Sequence, residues 1–234
     1  MIHVERIVLG AGVLWMLSVS PLAAQADQAD RVRNATVVLD EIMAAPDQAI
    51  PASVLEKAEA IAVFPSTIKG GFVLTAHRGR GIISVRDRDS KTWSPPAFLT
   101  VTGGGIGVQI GAQAVDLVLV VMNRRGLENL LQNQFKVGAG GEATAGPVGR
   151  SAEASTDLQM RAQILSYSRS RGLFAGVSLN GAAIRQDRDS NEDYYGEPYG
   201  TKSIVLDRKA APPASADEVD AWWGSLAKYA ETKK

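Results

Sequence analysis

The sequence predicts an α+β domain in which flanking amphipathic helices cover a strongly curved, barrel-like antiparallel sheet of short Gly-rich strands. Three observations support this prediction. Apolar residues recur at helical spacing near both ends of the chain, the segment between them consists of short runs rich in Val, Ile, Thr and Phe, and glycine interrupts these runs repeatedly. Glycine at bends between short strands is typical of curled sheets.

The beginning of the sequence has the features of an export signal. Arg6 precedes an apolar run over 7–17, and Ala24-Gln25-Ala26 is a small-residue cleavage pattern. This run of about 11 residues is shorter than the roughly 20 that a membrane span needs, so a membrane anchor is the less favoured alternative. We expect 1–26 to be a signal peptide, 27–234 to form a single domain, and the mature protein to be periplasmic.

The composition excludes several classes of protein. The chain has no Cys, which excludes disulfides, thiolate metal sites, cysteine nucleophiles and a lipid-modified cysteine at the cleavage site. Of its two His, only His77 follows the predicted signal, so a paired-His metal site is excluded as well. The net charge of zero argues against general nucleic-acid binding. We therefore expect no metal, no cofactor and no nucleic-acid partner.

Two helices are predicted near the start of the domain. Asp30 is expected to cap the first helix, in which apolar side chains recur at helical spacing. Those apolar positions include Val38, Leu39 and Ile42. A second, short helix is expected to begin at Pro51 and to continue through the apolar stretch 60–64, which Pro65 ends.

A third amphipathic helix is predicted at the end of the chain, over about 215–232. Ser215 and Glu218 form a capping box, and Trp222 and Trp223 follow within the helix. Docking of this helix on the sheet through its Trp pair is favoured over a membrane-interface role for the two indoles.

The middle of the chain predicts the strands of the sheet. They are expected at 72–76, 81–86, 97–102, 103–114, 117–122, 163–168, 173–179 and 182–185. Asn180-Gly181 predicts a hairpin between the last two. Leu127, Leu130, Leu131 and Phe135 fit a short helix. The glycines from 105 to 111 lack the spacing and the following helix of a dinucleotide loop, so a bent strand is the favoured interpretation.

A local excess of positive charge marks the candidate binding site. Arg78 and Arg80 flank Gly79 at an expected turn, with basic residues before and after them, and arginine suits bidentate contact with phosphate. The candidate head-group ligands are Lys69, Arg78, Arg80, Arg86 and Arg88. A solvated, charged hairpin without a ligand is an equally favoured alternative. The segment 187–197 has the opposite, acidic charge.

Asp116 is the one carboxylate inside an apolar strand of the predicted sheet. It is either a general base or the structural partner of a basic residue such as an arginine. The second interpretation is favoured because the sequence shows no second catalytic group at a spacing that would indicate a catalytic pair. The sequence therefore predicts no catalytic residues and no enzyme.

Several longer motifs occur together in the chain: Lys69-Gly70-Gly71-Phe72, Trp93-Ser94-Pro95-Pro96-Ala97, the Gly-rich string 105–111, Asp116-Leu117-Val118-Leu119-Val120, and the long string 166–179 that begins Ser-Tyr-Ser. Together they resemble the SYLF domain family of lipid-binding proteins and actin regulators. The resemblance implies a non-enzymatic domain. In eukaryotic members it implies binding to phosphoinositide membranes, partly through an amphipathic helix near the start of the domain, and in some members binding to actin.

These observations predict a lipid-binding module of the cell envelope that attaches to anionic or phosphoinositide-like phospholipid head groups. The basic residues are expected to contact the head groups, because each basic residue near an anionic surface contributes about 1 kcal/mol. Further membrane or partner contacts are expected from Val38, Leu39, Ile42, Trp222 and Trp223. The alternative is a structural or assembly protein of the envelope that binds a protein partner.

Overall fold

The computed structural model describes residues 21–45, 49–70, 74–106, 112–136, 143–148, 162–170, 173–176, 179 and 181–230. These residues form an α+β fold in which helices pack on a curled sheet. The helices are α1 Pro21–Met43, α2 Ala52–Glu56, α3 Arg124–Leu130, α4 Arg188–Tyr195, α5 Thr201–Val205 and α6 Asp217–Ala230. The strands are β1 Ala60–Gly70, β2 Leu74–Val85, β3 Ala97–Ile106, β4 Ala112–Val121, β5 Gln134–Lys136, β6 Ala143–Ala145, β7 Ile164–Ser170, β8 Leu173–Gly176 and β9 Ala182–Gln186.

The sheet confirms the predicted fold class and corrects its pairing. The strand order is β5-β9-β3-β2-β1-β4-β7-β6, and β8 pairs with β7 outside this path. Among the described strands the pairs are antiparallel, as predicted, except that β6 runs parallel to β7. A long connection between β6 and β7 permits this pairing, since parallel neighbours cannot be joined by a tight turn.

Helix α1 begins earlier than the sequence suggested. Asp30 was expected to cap it, but the helix already includes Pro21, and Asp30 is an exposed position inside it that pairs with Arg33 at 2.7 Å. The Ala-rich residues that precede Asp30 are strong helix formers. The expected cleavage after Ala26 falls within α1, and residues 1–20 of the predicted signal lie outside the described residues.

None of the described helices combines the length and the apolar composition that a membrane-spanning helix requires.

The apolar stretch 60–64 forms the first half of strand β1, so the prediction that it continues a helix was wrong. Short apolar runs fit a buried strand as well as a helix. Here the side chains alternate between the two faces of the sheet, each of which has its own hydrophobic core. Ile61 and Val63 enter the core on one face, and the residues at 60, 62 and 64 enter the core on the other. Pro65 does not end the strand but lies at a bulge, where the register with β4 shifts and Ser66 has φ +48°.

Strand β2 runs without a break through the residues that were expected to form a turn. Gly79 and Gly81 are required by close packing against β1 rather than by turning. A Cβ at Gly79 would lie 2.3 Å from Thr67 Oγ1, and one at Gly81 would lie 2.3 Å from the carbonyl oxygen of Val63. The expected basic hairpin is therefore a basic stretch in the middle of a strand.

Both faces of the sheet are covered, which explains the near-continuous apolar runs in its central strands. On one face α1, α2 and α6 pack against the sheet, and Val38, Leu39, Ile42 and Trp222 are buried there. On the other face α3 and α5 pack around Phe64, Leu119 and Ile184. The predicted buried strand 117–122 is confirmed by β4, in which Leu117 to Val121 are all buried.

The predicted C-terminal helix and its docking are confirmed by α6. Trp222 is fully buried, and its Nε1 donates a hydrogen bond to Ser84 Oγ of β2 at 2.9 Å. Trp223 is partly buried, and its Nε1 donates to the carbonyl oxygen of Ser94 at 2.9 Å. The helix therefore joins the sheet through both indoles.

Four smaller elements differ from the prediction. Gly181 has φ +82° and Ala182 N–H donates to the Leu179 carbonyl, so the chain does turn there, but β9 pairs with β3 and β5 instead of forming a hairpin with β8. Pairing with the longer strand β3 outweighs the local turn signal. Phe135, expected in a helix with Leu127, lies in β5. Helices α4 and α5 were not predicted.

Candidate functional site

A polar cleft of about 740 Å³ lies where α1 crosses strands β2 and β3. We call it the α1–β2 cleft. Its charged lining residues are Asp27, Asp30, Arg31, Arg78, Arg80 and Asp187. Its volume is within the range of roughly 300–1,000 Å³ that is typical of small-ligand sites.

The alternation of strand β2 places Arg78 and Arg80 on the wall of this cleft. Side chains two residues apart point to the same face of a strand, and Ile82, the next in this series, enters the core beneath α1. In the register of β2 and β3, Arg78 lies opposite Thr102 and Arg80 lies opposite Thr100. Each guanidinium is therefore accompanied by a threonine on the same face, and both threonines line the cleft.

Arg31 of α1 forms the floor of the cleft. Its guanidinium donates to Asp187 Oδ2 at 2.8 Å and to Ser190 Oγ at 3.1 Å, and it lies 5.1 Å from the centre of the Phe98 ring. Only 5% of the side chain is exposed. Burial lowers the pKa of Arg31, and the hydrogen bond and charge of Asp187 oppose that shift. Arg31 is therefore committed to a structural ion pair.

Arg80 is half exposed and holds a second ion pair across the cleft. Its two terminal nitrogens donate to the two carboxylate oxygens of Asp27 at 2.8 and 3.2 Å. The side chains of Arg80 and Asp27 are 57% and 48% exposed. Exposed pairs of this kind contribute little to stability and exchange partners readily, because water screens them.

Arg78 is the cation that the cleft leaves available. It is exposed, and no described residue forms an ion pair or hydrogen bond with its guanidinium. Arg185 of β9 lies opposite Thr100 in the register of β3 and β9, so it extends the basic stretch along the same face of the sheet. Its NH2 donates to Gln134 Oε1 at 3.1 Å.

The other predicted basic ligands lie elsewhere. Arg86 donates to the carbonyl oxygen of Glu56 at 2.9 Å and covers the Trp93 ring, while the exposed Arg88 pairs with Glu59. Eight residues of extended strand separate Arg86 from Arg78, about 26 Å. Lys69 pairs through its backbone with His77, and its side chain lies outside the described residues. Among the predicted ligands whose side chains the structure describes, Arg78 and Arg80 are the two that lie together.

Four of the five predicted apolar contacts are buried, and the fifth, Trp223, is partly buried against the core. Val38 is 4% exposed, and Leu39, Ile42 and Trp222 are 1% exposed or less. These side chains form the core between α1, α6 and the sheet. They could contact a membrane or a partner only if their helices left the sheet, so we do not place them in the candidate site.

Asp116 has the structural role that the sequence favoured. Its Oδ2 accepts hydrogen bonds from Arg169 Nε at 2.9 Å and NH2 at 2.7 Å, and its Oδ1 accepts from the backbone N–H of Ser66 at 2.9 Å. Arg169 also pairs with Glu41 of α1. The carboxylate therefore fixes the bulge in β1 and helps to hold α1 on the sheet.

Sequence reasoning missed the residues that α1 and α4 contribute to the cleft. Asp187 lies 156 residues after Arg31 in the sequence. Only the docking of α4 against α1 brings Asp187 close to Arg31 and Asp27. The one local signal was Asp187, which caps α4 by accepting from the backbone N–H of Ser190 at 3.3 Å. That signal predicts the helix but not the ion pair.

The chain is similar to one protein-family model and to several curated proteins. Residues 102–223 match the family model described as "Ysc84: Las17-binding protein actin regulator". Protein YSC84 of Saccharomyces cerevisiae is 32% identical over 197 residues, which is 83% of this chain and 42% of the yeast protein. LAS seventeen-binding protein 3 of the same yeast is 33% identical over 196 residues, 82% of this chain and 42% of that protein.

A human relative is also similar to most of this chain over part of its own length. SH3 domain-containing YSC84-like protein 1 of Homo sapiens is 35% identical over 173 residues, which is 74% of this chain and 50% of the human protein. The chain thus spans about half the length, or less, of these curated relatives. The family description names a Las17-binding protein and actin regulator, and the second yeast relative is named for binding LAS seventeen.

Proposed function

Since the chain belongs to the SYLF (Ysc84) family, we propose that it is a non-enzymatic binding module of the cell envelope that attaches to phospholipid head groups at the α1–β2 cleft. The observation that carries this proposal is Arg78, an exposed guanidinium without a described partner on the wall of the cleft. The ligand class is the phosphate of an anionic or phosphoinositide-like head group.

The chemistry of the cleft wall supports phosphate as the ligand. A guanidinium offers parallel N–H donors that match two phosphate oxygens, and a phosphate oxygen accepts from a nearby hydroxyl as well. Arg78 with Thr102, and Arg80 with Thr100, provide this combination twice along one face. Because the Arg80–Asp27 pair is half exposed, a phosphate can compete with Asp27 for Arg80 at little loss of stability.

Binding to anionic vesicles tests the proposal. The purified protein is cosedimented with vesicles of phosphatidylcholine alone and of phosphatidylcholine mixed with phosphatidylglycerol, at low and at high salt. We expect binding to the anionic vesicles that weakens with salt, since exposed charges are screened. The double variant Arg78→Ala/Arg80→Ala should bind about 30-fold more weakly, because each basic residue contributes about 1 kcal/mol at an anionic surface.

The matched control is Arg124→Ala. Arg124 is exposed and pairs with Glu128 on α3, which packs on the opposite face of the sheet from α1. Arg124→Ala removes one positive charge without touching the cleft, so its affinity for anionic vesicles should stay close to that of the unmodified protein. Failure of the protein to bind either kind of vesicle would end the lipid proposal.

The names of the relatives favour a second candidate, an assembly protein that binds a protein partner. The family description names an actin regulator, and two yeast relatives are named for binding Las17. Cosedimentation with actin filaments tests the nearest version of this function directly. Salt-tolerant pelleting with filaments, together with no binding to vesicles, would favour the protein partner over the lipid.

A further inference from the structure

The two walls of the α1–β2 cleft have opposite charge. The sheet wall has Arg78 and Arg80, whereas the helix wall has Asp27 and Asp30. On the floor, Arg31 and Asp187 neutralise each other. The charged residues that line the cleft are therefore three arginines and three aspartates, and the cleft as a whole has no net charge. A simple anion would match only one of its walls.

The aspartates of the helix wall have unused acceptors. Asp30 is 67% exposed, and its Oδ1 accepts from Arg33, while no described residue donates to its Oδ2. Asp27 has Arg80 as its close partner, and Arg31 lies farther away at 3.8 Å. If a phosphate took Arg80 without supplying a cation, the Asp27 carboxylate would lose its close partner. A ligand that brings both charges replaces the Arg80–Asp27 contact with two new ones.

We propose that the cleft selects a zwitterionic phosphodiester with a primary ammonium group, namely the phosphoethanolamine head group of a phospholipid. The phosphate lies against Arg78 and Arg80 on the sheet wall, and the ammonium lies against Asp30 and Asp27 on the helix wall. This inference rests on the proposed function and specifies the ligand of that same site. A primary ammonium donates hydrogen bonds to carboxylates, whereas the quaternary ammonium of phosphocholine has no N–H to donate.

Competition with soluble head groups tests this selectivity without the packing differences between bilayers. The full chain is bound to phosphatidylcholine vesicles that contain phosphatidylethanolamine, and glycerophosphoethanolamine or glycerophosphocholine is added. We expect the first compound to release the protein at a concentration about fivefold lower, the ratio expected for one ionic contact. Equal competition by the two compounds would overturn the assignment.

Two exposed variants separate this inference from the proposed function. Asp30→Asn should lose the preference for phosphatidylethanolamine over phosphatidylcholine vesicles and should bind phosphatidylglycerol vesicles at least as tightly as the unmodified protein, because it removes a negative charge from the helix wall. Arg78→Gln should bind both phosphatidylethanolamine and phosphatidylglycerol vesicles about fivefold more weakly, because it removes one basic contact. Circular dichroism of each variant verifies the fold.

The outcomes distinguish the two proposals. Binding to phosphatidylglycerol with no difference between phosphatidylethanolamine and phosphatidylcholine keeps the proposed function and overturns the zwitterionic ligand. An unchanged ethanolamine preference in Asp30→Asn also overturns it. Absence of binding to all three lipids overturns both.

Discussion

Replacing Asp187 by Ala should lower the free energy of unfolding by about 3–5 kcal/mol, because it leaves a buried guanidinium without its counter-charge. Arg31 is 5% exposed and Asp187 is 14% exposed, and their 2.8 Å contact joins α1 to the start of α4. The other carboxylate near Arg31, Asp27, lies farther away at 3.8 Å and is already paired with Arg80, so it compensates for the lost charge only in part. Urea unfolding followed by circular dichroism measures the change.

Two further variants identify the cause of this loss. Asp187 also caps α4, and Asn caps a helix as well as Asp does, so Asp187→Asn removes the charge while keeping the cap. Most of the destabilisation should remain in Asp187→Asn. Glu128→Ala breaks an exposed ion pair with Arg124 and should change the stability by less than about 1 kcal/mol. Equal effects of Asp187→Ala and Glu128→Ala would refute the buried-pair explanation.

Truncation of Trp222 to Ala should destabilise the protein by about 3–5 kcal/mol, the range for large aromatic side chains in a core. Trp222 is fully buried between α6 and the sheet, and its Nε1 donates a hydrogen bond to Ser84 Oγ. Denaturant unfolding by circular dichroism is again the measurement, since tryptophan fluorescence itself changes in this variant.

A conservative variant apportions the effect. Trp222→Phe keeps most of the apolar volume and removes the donor to the buried Ser84 hydroxyl, so we expect a loss of about 1–3 kcal/mol. A Trp222→Ala protein as stable as the unmodified one would show that α6 is not docked as described. For the same reason, loss of partner binding in Trp222→Ala would report unfolding rather than a contact surface.

The elements that the sequence predicted well have strong local signals. The apolar stripe of α1, the capping box before α6 and the double-faced apolar run of β4 each follow a rule that acts within about 15 residues. Asp116 was also interpreted correctly, because a carboxylate within an apolar strand requires a partner wherever the chain folds. The particular partner, Arg169, required the register of β4 and β7.

The errors arose where tertiary contacts outweigh local signals. The stretch 60–64 has too few residues to distinguish a helix from a strand by periodicity, and its place between β2 and β4 decides the matter. Gly79 and Gly81 look like turn residues, yet the bulge in β1 is what requires them to lack a side chain. Neither fact can be read from the surrounding sequence.

The candidate site was predicted in part for the same reason. Arg78 and Arg80 were identified from their charge and spacing, but charge alone could not separate them from Arg86 and Arg88, whose partners Glu56 and Glu59 become neighbours only in the folded chain. The acidic wall of the cleft comes from α1, which the sequence indicated to be helical without indicating what it would face.

The central claim, that the α1–β2 cleft meets the lipid surface, is tested most directly by placing a probe at its rim. The chain has no cysteine, so Asn34→Cys introduces a single labelling site at an exposed position of the cleft lining. Gln132→Cys, exposed after α3 on the opposite face of the sheet, is the control. Each variant is labelled with an environment-sensitive fluorophore and mixed with phospholipid vesicles. We predict a blue shift of emission at position 34 and none at position 132; a shift at 132 with none at 34 would contradict the assignment of the cleft.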